Sequence, residues 1–473
     1  MKWGVRLTVL LGGTLSAVAV AGEPLPQPVG DASLRSISRH TVQIPARFNV
    51  PLDSVCPDQA AALRAAFPQG LPLGVGSGLR WVRQAGHAQI FLGVTDRGPN
   101  AEVPDDFAYR QKVFPAPAYA PSLAWLRVDK HGTRVTQLVP LKSADGVPHT
   151  GLPLPVGSLG STNEHALDAC LNPLPPSAKA NGLDPEGVAV DAQGKVWIAD
   201  EYGPFLVRFD PQTGRELDRA APADGLPALL RYRQPNRGFE GLAVADGKVY
   251  AVLQSPLAQI PDPHHPDEAA ARSQRATPRF IRLVEYDPLT RTSRTFAYPQ
   301  DAAEQQPVQG ADGVYANASD AKIGDLVGLG KGRFVLIEQG KGADKRLRTV
   351  LYRIDLRHAT PIDALTVDGK PLEFASDRAQ LRAAGVRLIE KTRLLDLHDY
   401  GWQAEKAEGL ALIGRDTLAV INDNDFGMTS NADDREAFPK GQPVDAARYR
   451  ITPNDPHERA TQLWLLKFAR PLR

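Results

Sequence analysis

Apolar residues in this chain fall in short runs, paired across Gly-containing turns, and the pairs return with the same polar flanks in the same order. The clearest copy is DPEGVAVDAQGKVWIADEYG at 184–203. Related copies are FEGLAVADGKVYAVLQS from Phe239 and AEGLALIGRDTLAVINDND from Ala407, with looser ones from Gly324 (GDLVGLGKGRFVLIEQG) and Gly76 (GSGLRWVRQAGHAQIFLGVTDRG). Each reads as strand, turn, strand. Third strands are predicted at 122–129, 205–210, 280–287, 349–355 and 462–468, and fourth strands at 133–141 and 294–298. Four antiparallel strands per repeating unit describe the blade of a β-propeller. The expected fold is therefore all-β, a single propeller of five to six four-stranded blades with short helical insertions. Five units are visible, and a sixth would have to lie in the irregular stretches. The last unit lacks a fourth strand, which an early strand at 36–48 supplies, closing the ring. Helices are expected at 58–67, capped by Asp58, and at 377–384. Insertions interrupt the pattern at 142–182, 256–278 and 357–390.

Residues 1–21 read as an export signal: Lys2 and Arg6 precede an apolar stretch at 7–20, and Ala19-Val20-Ala21 offers a small-x-small cleavage site. The alternative is a retained membrane anchor. An extension at 22–70 and a propeller domain at 71–473 follow, expected to be a periplasmic or secreted monomer with no membrane contact after signal removal. With 55 Lys and Arg against 54 Asp and Glu, the net charge of +1 supplies no field for a polyanion. No P-loop or Gly-x-Gly-x-x-Gly occurs, so nucleic acid is not an expected partner. Cys56 and Cys170, the two cysteines, either pair in a disulfide or remain as two thiols.

Strand geometry concentrates the polar residues. A first strand and its antiparallel successor begin and end at the same rim. The openers Ser77, Glu186, Glu240, Asp325 and Glu408 thus meet the closers Asp96-Arg97, Asp200-Glu201, Gln254-Ser255, Glu338-Gln339 and Asn422-Asp423 at one end of the channel. So many acids at one mouth raise each other's pKa unless cations join them. Hard oxygen ligands suit Ca²⁺, whereas the His/Cys spacing of a zinc site is missing. The expected metal ligands are Asp96, Glu186, Asp200, Glu240, Asp325, Glu338, Glu408, Asn422 and Asp423. Arg97 and Arg237 are candidates for binding substrate, and Glu186, Glu201, Arg237 and Glu240 for catalysis. Each has a plainer alternative: Glu-Gly openers can bond backbone amides of the next blade, 422–427 can be an Asx-rich turn, and either arginine can be a salt-bridge partner.

The ordered motifs DPEGVAV…VWIADEYGPFLVRFD, NRGFEGLAV, IGDLVGLGKGRFVLIEQG and AEGLALI…LAVINDNDFG resemble those of the phytase-like, or "esterase-like activity of phytase", family of secreted bacterial proteins, over most of 70–470. Family members usually close one strand with Glu-Arg where this chain has Glu338-Gln339. The resemblance implies a propeller, export, and Ca²⁺-dependent hydrolysis of phosphate esters. With no nucleophile elbow present, the attacking group would be metal-held water and the substrate a small ester. The other expectations are a Ca²⁺-dependent lactonase or carboxylic esterase, and a non-catalytic binding propeller whose acids are structural.

Overall fold

The computed structural model describes residues 33–52, 56–104, 111–175, 181–257, 259–262, 264, 276, 278–303 and 313–473. The export signal expected at 1–21 lies outside them. The described chain is mostly β, and its strands form propeller-like antiparallel sheets in sequence order. The first sheet comprises Gly78–Ala85, Ala88–Val94, Ser122–Asp129 and Gly132–Pro140. The second comprises Pro185–Val190, Val196–Asp200, Phe205–Phe209 and Glu216–Pro222, extended by Gly225–Leu226. Phe239–Ala245, Lys248–Leu253, Ile281–Asp287 and Thr292–Tyr298 make the third. The fourth is built from Lys322–Gly330, Arg333–Lys341, Leu347–Asp355 and Glu390–Asp396. Gly409–Ile413, Thr417–Ile421 and Gln462–Phe468 make the fifth, completed by the early strand Leu34–Gln43.

That completion is the closure expected from the sequence. Leu34–Gln43 runs antiparallel to Gln462–Phe468, with Ile37 opposite Leu466 and Arg39 opposite Trp464. Val42 and Gln43 also pair with Thr133 and Arg134, joining the first and fifth sheets at their outer edges.

Strand composition follows distance from the centre. The first strand of a sheet is covered on both faces, so Pro185–Val190 and Phe239–Ala245 are apolar almost throughout. Outer strands such as Gly132–Pro140 alternate buried and exposed positions. Tight turns set the register: Asp246 and Gly247 both have positive φ, at 50° and 75°, the requirement of a two-residue hairpin turn that follows strand twist.

The inner strands lie backbone to backbone. A Cβ on Gly187 would stand 2.6 Å from the Glu240 carbonyl oxygen, and one on Gly241 would stand 2.7 Å from the Leu326 nitrogen. Gly78 meets Val188 in the same way, Gly324 meets Ala407, and Gly409 meets Leu79, which returns the sequence of contacts to the first sheet. The Gly beside each strand opener, after Ser77, Glu186, Glu240 and Glu408 and before Asp325, is thus a steric requirement of the packing between inner strands.

Outside the sheets, the helix Pro57–Ala66 begins one residue early. Asp58 lies in its first turn, and the N-cap is Cys56, with no side-chain cap bond. Pro57 presets the first helical φ instead. Helix Arg378–Ala383 is capped by Asp377, which accepts a bond from the Gln380 amide at 2.9 Å. Within the 142–182 insertion, His165–Leu167 pairs with Gln111–Val113, itself paired with Ala101–Glu102. A disulfide joins Cys56 to Cys170, with Cα atoms 6.0 Å apart. No helix among the described residues is long and apolar enough to cross a membrane.

Candidate functional site

Glu186 and Glu240 are each the second residue of an inner strand, and Glu408 immediately precedes another. Because the following glycines let these strands close on one another, the three carboxylates converge, each placing an oxygen within 4.8 Å of the other two. Two further groups satisfy the same limit: Asp96, Asp184 and Glu186, and Asp96, Asp423 and Asp425. The three groups form a chain that shares Glu186 and Asp96. They border a polar cavity of about 320 Å³, which Glu201, Arg97 and Arg237 also line.

Fixed partners hold this wall. The Arg97 guanidinium lies 3.3 Å from Glu164 and 3.7 Å from Asp184 and donates to the Tyr202 hydroxyl at 3.3 Å. The Gln254 amide donates to Glu240 at 3.0 Å and to Glu201 at 3.5 Å. Gln339 donates to Glu408 at 3.3 Å while accepting from the Ala407 amide at 2.6 Å. Arg237 is half-buried and donates to the Ser255 hydroxyl at 3.0 Å.

Burial comes first among the causes that raise the acids' pKa values, and neighbouring carboxylates add to it. Glu186 is pushed well up by burial and then by the charges of Asp96, Glu240, Asp184 and Glu408. Glu240 rises through burial, then through Glu408 and Glu201. Burial carries Asp184 to about 8 and Glu201 to about 7, in both cases against the pull of Arg97. Glu408 reaches about 8 against Lys406. Burial and Asp425 take Asp423 to about 8.

Four of the expected ligands have other occupations. Asp200 accepts from the Asp184 and Gly203 amides at 2.8 and 2.7 Å, fixing the turns beside its strand. Asp325 accepts from the amides of Leu242 (3.3 Å), Leu326 (2.6 Å) and Leu410 (2.6 Å), and Leu79 supplies a further backbone donor. It ties inner strands of four sheets together at the axis. Glu338 is buried against Lys391 at 2.5 Å and the Tyr298 hydroxyl at 2.9 Å. Asn422 uses its carbonyl oxygen for the Gln462 amide at 2.6 Å. Asp200, Asp325 and Asn422 thus accept from backbone amides, and Glu338 serves a buried ion pair.

Asp184, Glu164 and Lys406 are not among the residues that the sequence singles out, and Asp425 enters there only as part of the Asx-rich run 422–427. Two had a signal. Asp184 lies two residues before Glu186 and Lys406 two before Glu408, and period-two alternation turns such pairs to the same side of an extended chain. Glu164 comes from the 142–182 insertion, where no repeat marks it.

The donor set fits a hard divalent cation. Ca²⁺ takes carboxylate oxygens at roughly 2.3–2.6 Å, so oxygens sharing one ion lie within about 5 Å of each other. Both oxygens of Asp184 and Oε2 of Glu186 are buried without a hydrogen-bond partner, on residues 1% and 8% exposed. Buried carboxylate oxygens of this kind need a proton or a cation.

Residues 72–426 match the family described as Phytase-like: Esterase-like activity of phytase. An uncharacterized secreted protein of Arthroderma benhamiae is 25% identical over 302 residues, covering 51% of this chain and 55% of that protein's length. Matches among solved structures include a luciferin-regenerating enzyme (9% identity, TM-score 0.32, 85% of this chain and 96% of that one). Another is an α-L-arabinofuranosidase of Podospora anserina (10%, 0.32, 85% and 92%). A third is a PQQ-bound aldose sugar dehydrogenase of Streptomyces coelicolor (13%, 0.25, 79% and 98%).

Proposed function

This chain belongs to the phytase-like family, esterase-like activity of phytase, and from that membership we propose that it is an exported, Ca²⁺-dependent phosphoesterase acting in the acidic cavity. In this reading the five sheets are the blades of a propeller, with the cavity at one end of its axis. Export is supported by the signal-like residues 1–21 and by the secreted relative. The observation that carries the reading is the convergence of Glu186, Glu240 and Glu408 within 4.8 Å, with the buried Oε2 of Glu186 lacking a hydrogen-bond partner.

Glu186, Glu240 and Glu408 would hold Ca²⁺, with Asp96 and Asp184 alongside; when bound it supplies a Lewis-acid charge to a phosphoryl oxygen and makes a nearby water more acidic. The chain's own residues divide the remaining work. Gln254 and Gln339 aim Glu240 and Glu408 through their amides. Glu201, with a pKa of about 7, is poised to give a proton to a leaving alkoxide and to take one back. Arg237 holds anionic oxygens of the substrate. Arg97 is anchored by Glu164 and Asp184, so it offers a fixed field more than a mobile clamp.

One observation favours the carboxylic ester or lactone alternative. Ten carboxylates line the cavity against five Lys and Arg side chains, an excess that repels a phosphate dianion until cations offset it. Purified protein assayed on phytate, p-nitrophenyl phosphate, p-nitrophenyl acetate and a lactone series, with Ca²⁺ or EGTA, separates the cases. Phosphate release that EGTA abolishes supports the proposal. Turnover of lactones or carboxylic esters alone replaces it with the second reading, and no turnover of any ester leaves the acids structural.

A further inference from the structure

The three carboxylate groups do not stand equal before a cation. In the group Asp96–Asp423–Asp425, the Lys406 ammonium lies 2.7 Å from Asp425 and 3.6 Å from Asp423. In the group Asp96–Asp184–Glu186, the Arg97 guanidinium lies 3.7 Å from Asp184. In the group Glu186–Glu240–Glu408, the hydrogen-bond donors are the neutral amides of Gln254 and Gln339, Lys406 acts on Glu408 only through its charge, and Glu186 Oε2 has no hydrogen-bond partner.

We propose that Lys406 is a built-in substitute for a metal ion, and that the cavity consequently takes one divalent cation, at Glu186, Glu240 and Glu408. This rests on the cation reading given above and sets its number. The chemistry is that of charge placement. An ammonium carries three donors and one positive charge at a compact point, so among carboxylates it fills the position and part of the electrostatic role of a hard cation. Its seat follows from the sequence: Lys406 stands two residues before Glu408, and alternation brings both side chains to the same cavity. Arg97, three residues past the strand Ala88–Val94, offsets the charge of the middle group at Asp184. What remains is one group that no protein cation among the described residues touches, Lys406 reaching Glu408 and Glu240 only as a charge at longer range. Lys406 is thereby a positioning residue, holding Asp423 and Asp425 away from the ion that Glu408 helps to bind.

Calorimetric titration of the purified, metal-stripped chain with Ca²⁺ tests this, with circular dichroism to establish that each variant is folded. Wild type should take one equivalent, Glu240→Gln none, Lys406→Arg one, and Lys406→Met two, since loss of the ammonium opens Asp96, Asp423 and Asp425 to a second ion. Lys406→Gln serves in place of Lys406→Met if the latter does not fold. A wild type that takes two or more equivalents overturns the single-ion assignment while leaving the cation reading intact. A folded Lys406→Met that stays at one equivalent overturns the role given to the lysine. A wild type that binds none removes the cation reading itself, and the count of one with it.

Discussion

At the residue scale, the site is a contest between burial and charge. Asp184, Glu408 and Asp423 have pKa values of about 8 and Glu201 of about 7, above the usual carboxylate value of about 4. Between about pH 4 and pH 8 the folded, metal-free chain therefore holds more protons than the unfolded one, and its stability falls as pH rises through that window. Carboxylates shifted the other way, such as Asp210 and Glu216 at about 2, add stability above the unfolded value and lose it only as pH falls below about 4. Scanning calorimetry in chelator should thus give a lower Tm near pH 8.5 than near pH 5.5, and Ca²⁺ should raise Tm most at the higher pH. A Tm that climbs with pH in chelator would show that these acids are ionised in the folded chain without help. Glu240→Gln, which loses a direct ligand, should remove the Ca²⁺-induced rise in Tm. The sequence made Glu186, Glu240 and Glu408 legible because a repeated Glu-Gly at a strand start can mean only a few things. It could not separate them from Asp325, which has the same position and a different task. What distinguishes Asp325 is the donor geometry of amides from other sheets, and no residue pattern records that.

At the scale of elements, inner strands are held by close backbone approach and by one buried carboxylate. Gly187→Ala would press a methyl to 2.6 Å from the Glu240 carbonyl oxygen, displacing the strand that carries a proposed ligand. A loss of about 1–3 kcal/mol is expected in denaturant unfolding, with Ca²⁺ affinity falling as well. Asp325→Ala strips acceptors from the amides of Leu242, Leu326 and Leu410; buried donors left unpaired cost about 1–3 kcal/mol each. Hydrogen exchange should show those three amides losing protection together, whereas loss at Leu326 alone would contradict the axial tie. Most strands were legible: 122–129 and 462–468 were expected with the bounds that Ser122–Asp129 and Gln462–Phe468 show. Short apolar runs flanked by turn residues explain that success. The strands Gln111–Val113 and His165–Leu167 were not legible, because three-residue pairings in an insertion leave no periodicity to read.

At the scale of the molecule, the ring depends on its first strand meeting its last. Deleting 33–43 would leave Gln462–Phe468 as an open edge and remove the seam to Thr133 and Arg134. The expected result is a large drop in Tm and aggregation, since unpaired edges recruit other chains. The disulfide adds a second closure: Cys56 and Cys170 are 114 residues apart, and chain entropy for so long a loop gives about 4–5 kcal/mol. Double replacement by Ala should lower denaturant stability by an amount of that order, and a change below about 1 kcal/mol would mean that the helix Pro57–Ala66 and the insertion hold together without it. The sequence named this pair but not its bonding, because two cysteines define no framework. The most direct test of the whole is anomalous diffraction from crystals grown in millimolar Ca²⁺. One cation peak should appear, bound by carboxylate oxygens of Glu186, Glu240 and Glu408. An electron-density map with those side chains turned apart, or bonded to protein groups with no peak among them, would contradict it.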